Sequence, residues 1–300
     1  MPLSLRLGYV GRYDDAMASS DTRTRRRISP DEAVALSAWL AKFERIFVLT
    51  GAGCSTASGI PDYRDAEGAW KRTPPVTIQA FTGDPAIYRR YWARSSIGWP
   101  RVVQARPNDA HAGLARLEAL GRVSMLVTQN VDGLHQRAGS ARVTDLHGRM
   151  DEVVCLACAA RLPRNAVQHR IVERNPGWTA TLLGVAPDGD AAAADGFVPP
   201  LCQDCGGLLK PDVVFFGENV PRDRLQRALD ALRSSDAMLV AGSSLMVYSG
   251  FRFARMASED GLPLAILNRG RTRADELATL KLDADIGATL RAALGQECRA

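Results

Sequence analysis

Lysine is scarce in this 300-residue chain: only Lys42, Lys71, Lys210 and Lys281 occur, so arginine carries nearly all the positive charge. With alanine abundant throughout, this bias points to a GC-rich bacterial genome. Long apolar runs are missing too. None approaches the ~20 residues of a membrane span, and the N-terminus has no apolar core of a secretion signal. A cytoplasmic protein without a membrane partner is therefore expected. The competing reading, an Arg-rich mitochondrial presequence, sits badly with Asp14, Asp15 and Asp21. A basic surface is also lacking, since 38 Lys+Arg face 33 Asp+Glu and the net charge is +5. The cluster Arg23-Thr-Arg-Arg-Arg27 reads as a solvated tail, and no nucleic-acid partner is expected. What is present, 46% hydrophobic and 24% charged residues, suits one large or two unequal folded domains.

Residues 1–28 show no sustained periodicity and read as a flexible tail. Ser29-Pro-Asp-Glu32 has the form of a capping box with proline in the first turn, which predicts a helix running to about Arg45. Five apolar runs of strand length follow: Ile46–Thr50, Met125–Thr128, Val213–Phe216, Met238–Ala241 and Pro263–Leu267. Each reads as a buried parallel strand. Between them lie amphipathic stretches: Ala110–Leu120 stopped by Gly121, Asp223–Ser234 after Pro221, and Gly250–Asp260 stopped by Gly261. The alternation predicts an α/β fold with a doubly wound, parallel, Rossmann-like sheet built from 29–63, 107–152 and 210–300. The stretches 64–106 and 153–209 break the alternation and predict a smaller second domain, one part helical and one part carrying cysteine pairs.

Polar motifs follow four of the apolar runs. Thr50 leads into Gly51-Ala-Gly53, Thr128 into Gln129-Asn-Val-Asp132, Ala241 into Gly242-Ser-Ser244, and Leu267 into Asn268. Ligands of open parallel sheets bind beyond the carboxyl ends of the strands, so these four sets are expected to line one crevice. Gly51 and Gly53 suit a tight turn and close approach to a pyrophosphate, or a structural turn alone. A dehydrogenase fingerprint would place its third glycine at Thr56 and an acid at the end of a second strand, and this chain has neither. Asn130 and Asp132 suit a carboxamide and ribose hydroxyls, or a turn at a strand end. His147 is the natural acid/base of the set, with a structural role as the alternative. His111, His135 and His169 read as structural, and Cys54 as a packing residue. Cys155-x-x-Cys158 and Cys202-x-x-Cys205, with 43 residues between the pairs, have the composition of a closed structural zinc site. Redox activity of each pair is the alternative.

Several phrases taken together resemble the sirtuin family: Gly51-Ala-Gly-Cys-Ser-Thr-Ala-Ser-Gly-Ile-Pro-Asp-Tyr-Arg64, Thr128-Gln-Asn-Val-Asp-Gly-Leu-His135, Leu146-His-Gly148, the two cysteine pairs, Lys210-Pro-Asp-Val-Val-Phe-Phe-Gly-Glu218, Gly242-Ser-Ser-Leu245 and Asn268. The resemblance runs from about residue 30 to 295. Arg90-Tyr-Trp-Ala-Arg94, Gly98-Trp-Pro100, Ala186-Pro-Asp-Gly189 and the long span between the cysteine pairs are similar to class II, the branch of the mitochondrial lipoamidase and ADP-ribosylating sirtuin. The resemblance implies an NAD-dependent protein-lysine deacylase with NAD as cosubstrate and one structural zinc ion. Gly51, Ala52, Gly53, Ser55, Ile60, Pro61, Asp62, Tyr63 and Arg64 would then bind the phosphates, ribose and nicotinamide side of NAD. Gln129, Asn130 and Asp132 would line the nicotinamide pocket, and Gly242, Ser243, Ser244, Asn268 and Ile286 the adenosine half. His147, with Asn130, would be catalytic, and Val214, Phe216 and Gly217 would pair with the substrate backbone.

The implied chemistry suits these residue types. The amide oxygen of an acylated lysine is a feeble nucleophile and needs the C1′ of NAD as it becomes electrophilic, so positioning supplies much of the rate. His147 would then take a proton from a ribose hydroxyl, freeing it to attack the alkylimidate. Tyr91 and Arg94 have the spacing with which desuccinylating sirtuins read an acidic acyl chain, and an acidic or branched acyl such as glutaryl is the resulting expectation. A Tyr and an Arg at i, i+3 on a helix is the bland alternative. Competing functions are a mono-ADP-ribosyltransferase, a zinc-knuckle module that senses NAD, and NAD-dependent redox.

Overall fold

The computed structural model describes residues 30–62, 65, 75–178 and 194–297. The tail, the Ser29 cap, Tyr63, Arg64 and residues 186–189 lie outside them. The first helix, α1 (Pro30–Leu40), ends earlier than the pattern predicted. The reason is the side chain of Arg122, which donates from Nε to the Phe43 carbonyl at 2.8 Å and from its guanidinium to the Leu40 carbonyl. A cation on the last carbonyls satisfies the acceptors a helix end leaves open.

Six parallel strands form the main sheet: β1 (Ile46–Thr50), β2 (Val123–Thr128), β3 (Val143–Asp145), β7 (Ala237–Ala241), β8 (Leu264–Leu267) and β9 (Leu280–Leu282). Their order is β3-β2-β1-β7-β8-β9, with β1 paired to both β2 and β7. Every residue of β1 is buried, as a central parallel strand requires. Its alternate residues feed two cores. Ile46 and Val48 pack with Leu36 and Leu40 of α1, Leu114 and Leu117 of α4 (Asp109–Ala119), and Leu290 and Leu294 of α9 (Ile286–Glu297). Phe47 and Leu49 pack on the other face with Ala228 and Leu232 of α7 (Arg222–Arg233) and Phe253 and Ala254 of α8 (Tyr248–Glu259). Helices cover both faces, so the sheet is doubly wound.

One expected strand is not in this sheet. The run Val213–Phe216 only begins as a strand, because β6 is Leu209–Val213 and lies in a second, antiparallel sheet of order β5-β4-β6. There it joins β4 (Gly148–Cys155) and β5 (Arg161–Pro163). Glu218 turns the chain out of strand geometry: its carboxylate accepts from Phe215 N at 2.6 Å and pairs with buried Lys210 at 3.1 Å. The run is apolar because Phe215 fills an aromatic cluster with Phe81 and Tyr91, at ring centroids of 5.0 and 5.2 Å.

That cluster belongs to a third core, shared by α2 (Ile78–Gly83), α3 (Pro85–Gln104), α6 (Arg164–Arg174) and the antiparallel sheet. Asp84 starts α3 by accepting from Ala86 N at 2.7 Å. Polar tips of buried aromatics then pin α3 to the cysteine-bearing segment: Tyr88 Oη donates to Pro200 O at 2.6 Å, and Trp92 Nε1 to Leu209 O at 3.2 Å. Trp92 is fully buried, and its loss to alanine costs about 3–5 kcal/mol at such sites. Among the described residues, no helix is long and apolar enough to cross a membrane.

Candidate active site

The ends of β1, β2, β7 and β8 meet, as parallel strands of one sheet must. Gly51 N donates to Ala241 O at 3.3 Å, Gly53 N to Gly242 O at 2.9 Å, Gln129 N to Thr50 O at 2.9 Å and Gly242 N to Leu267 O at 3.0 Å. The two glycine turns therefore touch backbone to backbone. A Cβ on Gly53 would lie 2.9 Å from Gly242 O, and one on Gly242 2.5 Å from Cys54 N. Gly242 also has φ +67°, the left-handed region that glycine enters without strain. After β1 the chain makes two short 3₁₀ turns, Ala52–Cys54 and Thr56–Ser58. Asn108 holds them: its Nδ2 donates to Cys54 O at 2.8 Å and Ser58 Oγ at 2.9 Å.

Side chains knit the turns into one polar cluster. Asn130 Nδ2 donates to Gly51 O and to Ser55 Oγ, both at 3.0 Å, and Ser55 Oγ donates to Asp132 Oδ2 at 2.7 Å. The other Asp132 oxygen accepts at 2.9 Å from the amide of Leu134, the first residue of the short helix α5 (Leu134–Arg137). Ser243 Oγ donates to Gln129 Oε1 at 2.6 Å. Leu245, two residues on, is buried with φ +58°, a conformation costing roughly 1–2 kcal/mol in a non-glycine residue. Such strain gathers at functional loops. The Ser244 carbonyl accepts from Arg273 N at 2.9 Å. Asn268 is buried with Nδ2 on Arg269 O at 2.7 Å, and the Ile286 side chain packs against Gly242. Ile60 is half-buried with its amide on Ser55 O, while Pro61 is exposed and Asp62 half-buried at the edge of the turn.

His147 stands between β3 and β4. Its Nδ1–H donates to the Gln129 carbonyl at 3.0 Å, because a carbonyl can only accept. In the neutral ring Nε2 is then the acceptor, and Ser249 Oγ lies 2.8 Å from it. Burial lowers the His147 pKa below its ordinary value of 6.5, partly offset by the Gln129 carbonyl. The chain after β6 is tied to the same residue, since Val214 N donates to His147 O at 2.8 Å. Phe216 O in turn accepts from Ile78 N at 2.9 Å, and Gly217 has φ +85° with Gln79 beside it. Tyr91 reaches this segment through Phe215; Arg94 is half-buried one turn further along α3.

Beneath the strand ends, Thr50 Oγ1 donates to Thr128 Oγ1 at 2.9 Å, and His135 Nε2 lies 2.9 Å from Thr50 Oγ1. The His111 ring packs tilted against that of His135, with centroids 4.8 Å apart, and both rings are buried. Burial holds the His135 pKa down to about 3 and lowers that of His111. Cys54 is buried with Sγ donating to Ala241 O at 3.3 Å, the setting of a packing residue, and burial pushes its thiol up to about 12. His169 is exposed on α6.

Away from the crevice, the Sγ atoms of Cys155, Cys158, Cys202 and Cys205 all lie within 4.8 Å of one another. Cys155 and Cys205 are 3.5 Å apart, Cys158 and Cys202 3.8 Å. Tetrahedral zinc with Zn–S bonds of ~2.3 Å sets its sulfurs ~3.8 Å apart, so the cluster fits a zinc ion. Gly207 is needed there, since a Cβ would come within 3.0 Å of Cys155 Sγ. Four thiolates would fill the coordination shell of such an ion and leave no place for water, the pattern of a structural site.

Sequence reasoning missed Ser249 and Asn108. Ser249 is 102 residues from His147 and carries no motif of its own, and Asn108 had no signal beyond its place before a helix.

A doubly wound α/β sheet with a polar crevice at its strand ends, joined to a four-cysteine module, defines a nucleotide-binding enzyme fold with a structural metal site. Residues 51–249 match the Sir2 family, and the chain belongs to it. It is 58% identical over 253 residues to an NAD-dependent protein deacetylase of Xanthomonas campestris pv. campestris (strain 8004), covering 83% of this chain and 86% of that one. Against the human mitochondrial NAD-dependent protein lipoamidase sirtuin-4 it is 46% identical over 270 residues, covering 88% and 86%. A solved structure described as Sir2 with p53 peptide and NAD+ superposes with a TM-score of 0.73 at 34% identity, covering 89% of this chain and 98% of that one.

Proposed function

We propose that this chain is an NAD-dependent protein-lysine deacylase, which moves the acyl group of a modified lysine to ADP-ribose and releases nicotinamide. The observation that carries the residue roles is His147: its Nδ1–H is fixed on the carbonyl of Gln129, the residue next to Asn130 at the end of β2, which leaves Nε2 as the basic nitrogen. NAD supplies the electrophilic ribose carbon. Asn130, Asp132 and Gln129 hold and orient the nicotinamide side, Gly51–Asp62 the phosphates and ribose, and Gly242, Ser243, Ser244, Asn268 and Ile286 the adenosine half. His147 Nε2 takes the ribose hydroxyl proton. Val214, Phe216 and Gly217 offer backbone to the protein substrate, so the segment tied to His147 at Val214 would deliver the lysine to the base.

The same reading divides the chain into the sheet domain of 29–63, 107–152 and 210–300 and a small domain of 64–106 and 153–209, with zinc in the latter. The third hydrophobic core, which unites α3 and α6, supports that division. It places the protein in the cytoplasm, where reduced thiols can bind zinc, and gives it protein substrates in preference to nucleic acid or membranes. Tyr91, packed on Phe215, supports a role with Arg94 in choosing an acidic acyl chain. Equal rates on acetyl- and glutaryl-lysine peptides would remove that choice.

The test is mass spectrometry of reactions with NAD and a panel of acyl-lysine peptides. Free nicotinamide with O-acyl-ADP-ribose supports deacylation; ADP-ribose attached to protein would replace it with mono-ADP-ribosyl transfer.

A further inference from the structure

Ser249 lies in the first turn of α8, where serine hydroxyls usually turn back to the helix's own amides. Here the cap, Val247, makes no side-chain bond, and the Ser249 hydroxyl instead crosses to His147 Nε2 at 2.8 Å. The same turn lies against Gln129, the residue whose carbonyl anchors Nδ1: a Cβ built on Gly250 would be 2.5 Å from the Gln129 side-chain amide. Both ring nitrogens of His147 are therefore occupied, one by a backbone carbonyl and one by a hydroxyl.

We infer that Ser249 is a positioning residue for His147, holding the working nitrogen before proton transfer and accepting its new N–H afterwards. The inference rests on the deacylase reading. A hydroxyl suits both states because it is at once donor and acceptor. Before the transfer, Ser249 O–H donates to the Nε2 lone pair and keeps a half-buried neutral ring satisfied. In the transfer, the Ser249 O–H swings off the Nε2 lone pair, the ribose O–H bond breaks with its electron pair staying on oxygen, and the proton forms the Nε2–H bond on the freed lone pair. The ring becomes imidazolium, with its first N–H still on Gln129. As the ribose oxygen moves away to attack the acyl carbon, Ser249 turns its lone pair to the new N–H. Without that hydroxyl, the cation would form beside a carbon atom in a poorly solvated place.

The consequence separates two steps. Release and rebinding of nicotinamide precede the work of His147, so nicotinamide exchange should not depend on Ser249. The experiment compares wild type, Ser249→Ala and Ser249→Thr for deacylation and for exchange of labelled nicotinamide into NAD, with ¹⁵N-histidine NMR of the wild-type protein. Ser249→Ala should lower the deacylation kcat ~10–100-fold, a part of what general-base catalysis supplies. Its KM for NAD and its exchange rate should stay at wild-type values, and Ser249→Thr should recover most of the rate. The NMR should show an unprotonated Nε2 on His147. Full deacylation by Ser249→Ala, parallel loss of exchange, or a protonated Nε2 in the resting enzyme would overturn the inference. A wild-type protein that releases no nicotinamide would overturn the deacylase reading, while the NMR would still decide whether Ser249 serves Nε2.

Discussion

Gln129 and His147 are joined at 3.0 Å, carbonyl to Nδ1–H, and this single contact makes Nε2 the basic nitrogen of the ring. Replacing His147 with alanine should cut deacylation by ~10²–10⁴-fold, the usual range for a general base, while NAD still binds. The pH profile follows from the sign of the pKa shift. A base works as the neutral form, and burial lowers the His147 pKa. The acid limb of kcat should therefore fall below ~6.5, the ordinary histidine value, with a flat rate above it. A limb above that value in steady-state assays would contradict the assignment.

Gly242 should tolerate no side chain. Its φ of +67° adds backbone strain to any L residue, and a Cβ would press on Cys54 N at 2.5 Å. Strain and overpacking together put the cost of Gly242→Ala at about 2–5 kcal/mol, with loss of NAD binding as the loops part. Urea denaturation and NAD titration measure the two effects.

Zinc should be present at one ion per chain. Folding energy of structural zinc sites is on the order of 10 kcal/mol, so chelation or Cys158→Ser should unfold the cysteine module and its partner helix α3. Metal analysis and the near-ultraviolet signal of Trp92 and Trp99 report it. A chelated protein with unchanged melting would refute the site.

Acid should destabilise the fold early. His111, His135 and His147 all have folded pKa values below that of the unfolded chain. As pH falls through ~6.5 the unfolded chain gains protons that the folded one refuses, so stability drops by up to ~1.4 kcal/mol per pH unit for each histidine. For His135 the loss continues toward pH about 3. Denaturation curves at pH 7.5, 6 and 5 test it, and a constant midpoint would count against the buried pair.

Much of this was legible because it is local. Five-residue runs such as Ile46–Thr50 announce buried strands, and parallel strands share a direction, so the motifs after them had to meet. The run Val213–Phe216 misled because apolarity does not say which core it enters: Phe215 serves the aromatic cluster around Phe81. The outer strands Val143–Asp145 and Leu280–Leu282 are three residues each, too short for any periodicity, and exist only by pairing with β2 and β8.

By itself the sequence determined the layered α/β fold, the four cysteines that could share a metal, and the side chains at the strand ends. Periodicity and spacing are properties of neighbours along the chain, and these features need nothing more. Only the tertiary structure decided that Gly53 is glycine because Gly242 lies against it, that Lys210 and Glu218 bend the segment after β6, and that Ser249 meets His147. Such choices depend on close approaches between residues that are not neighbours along the chain. Hydrogen bonding and close packing set them after the core has formed, and no local pattern records them.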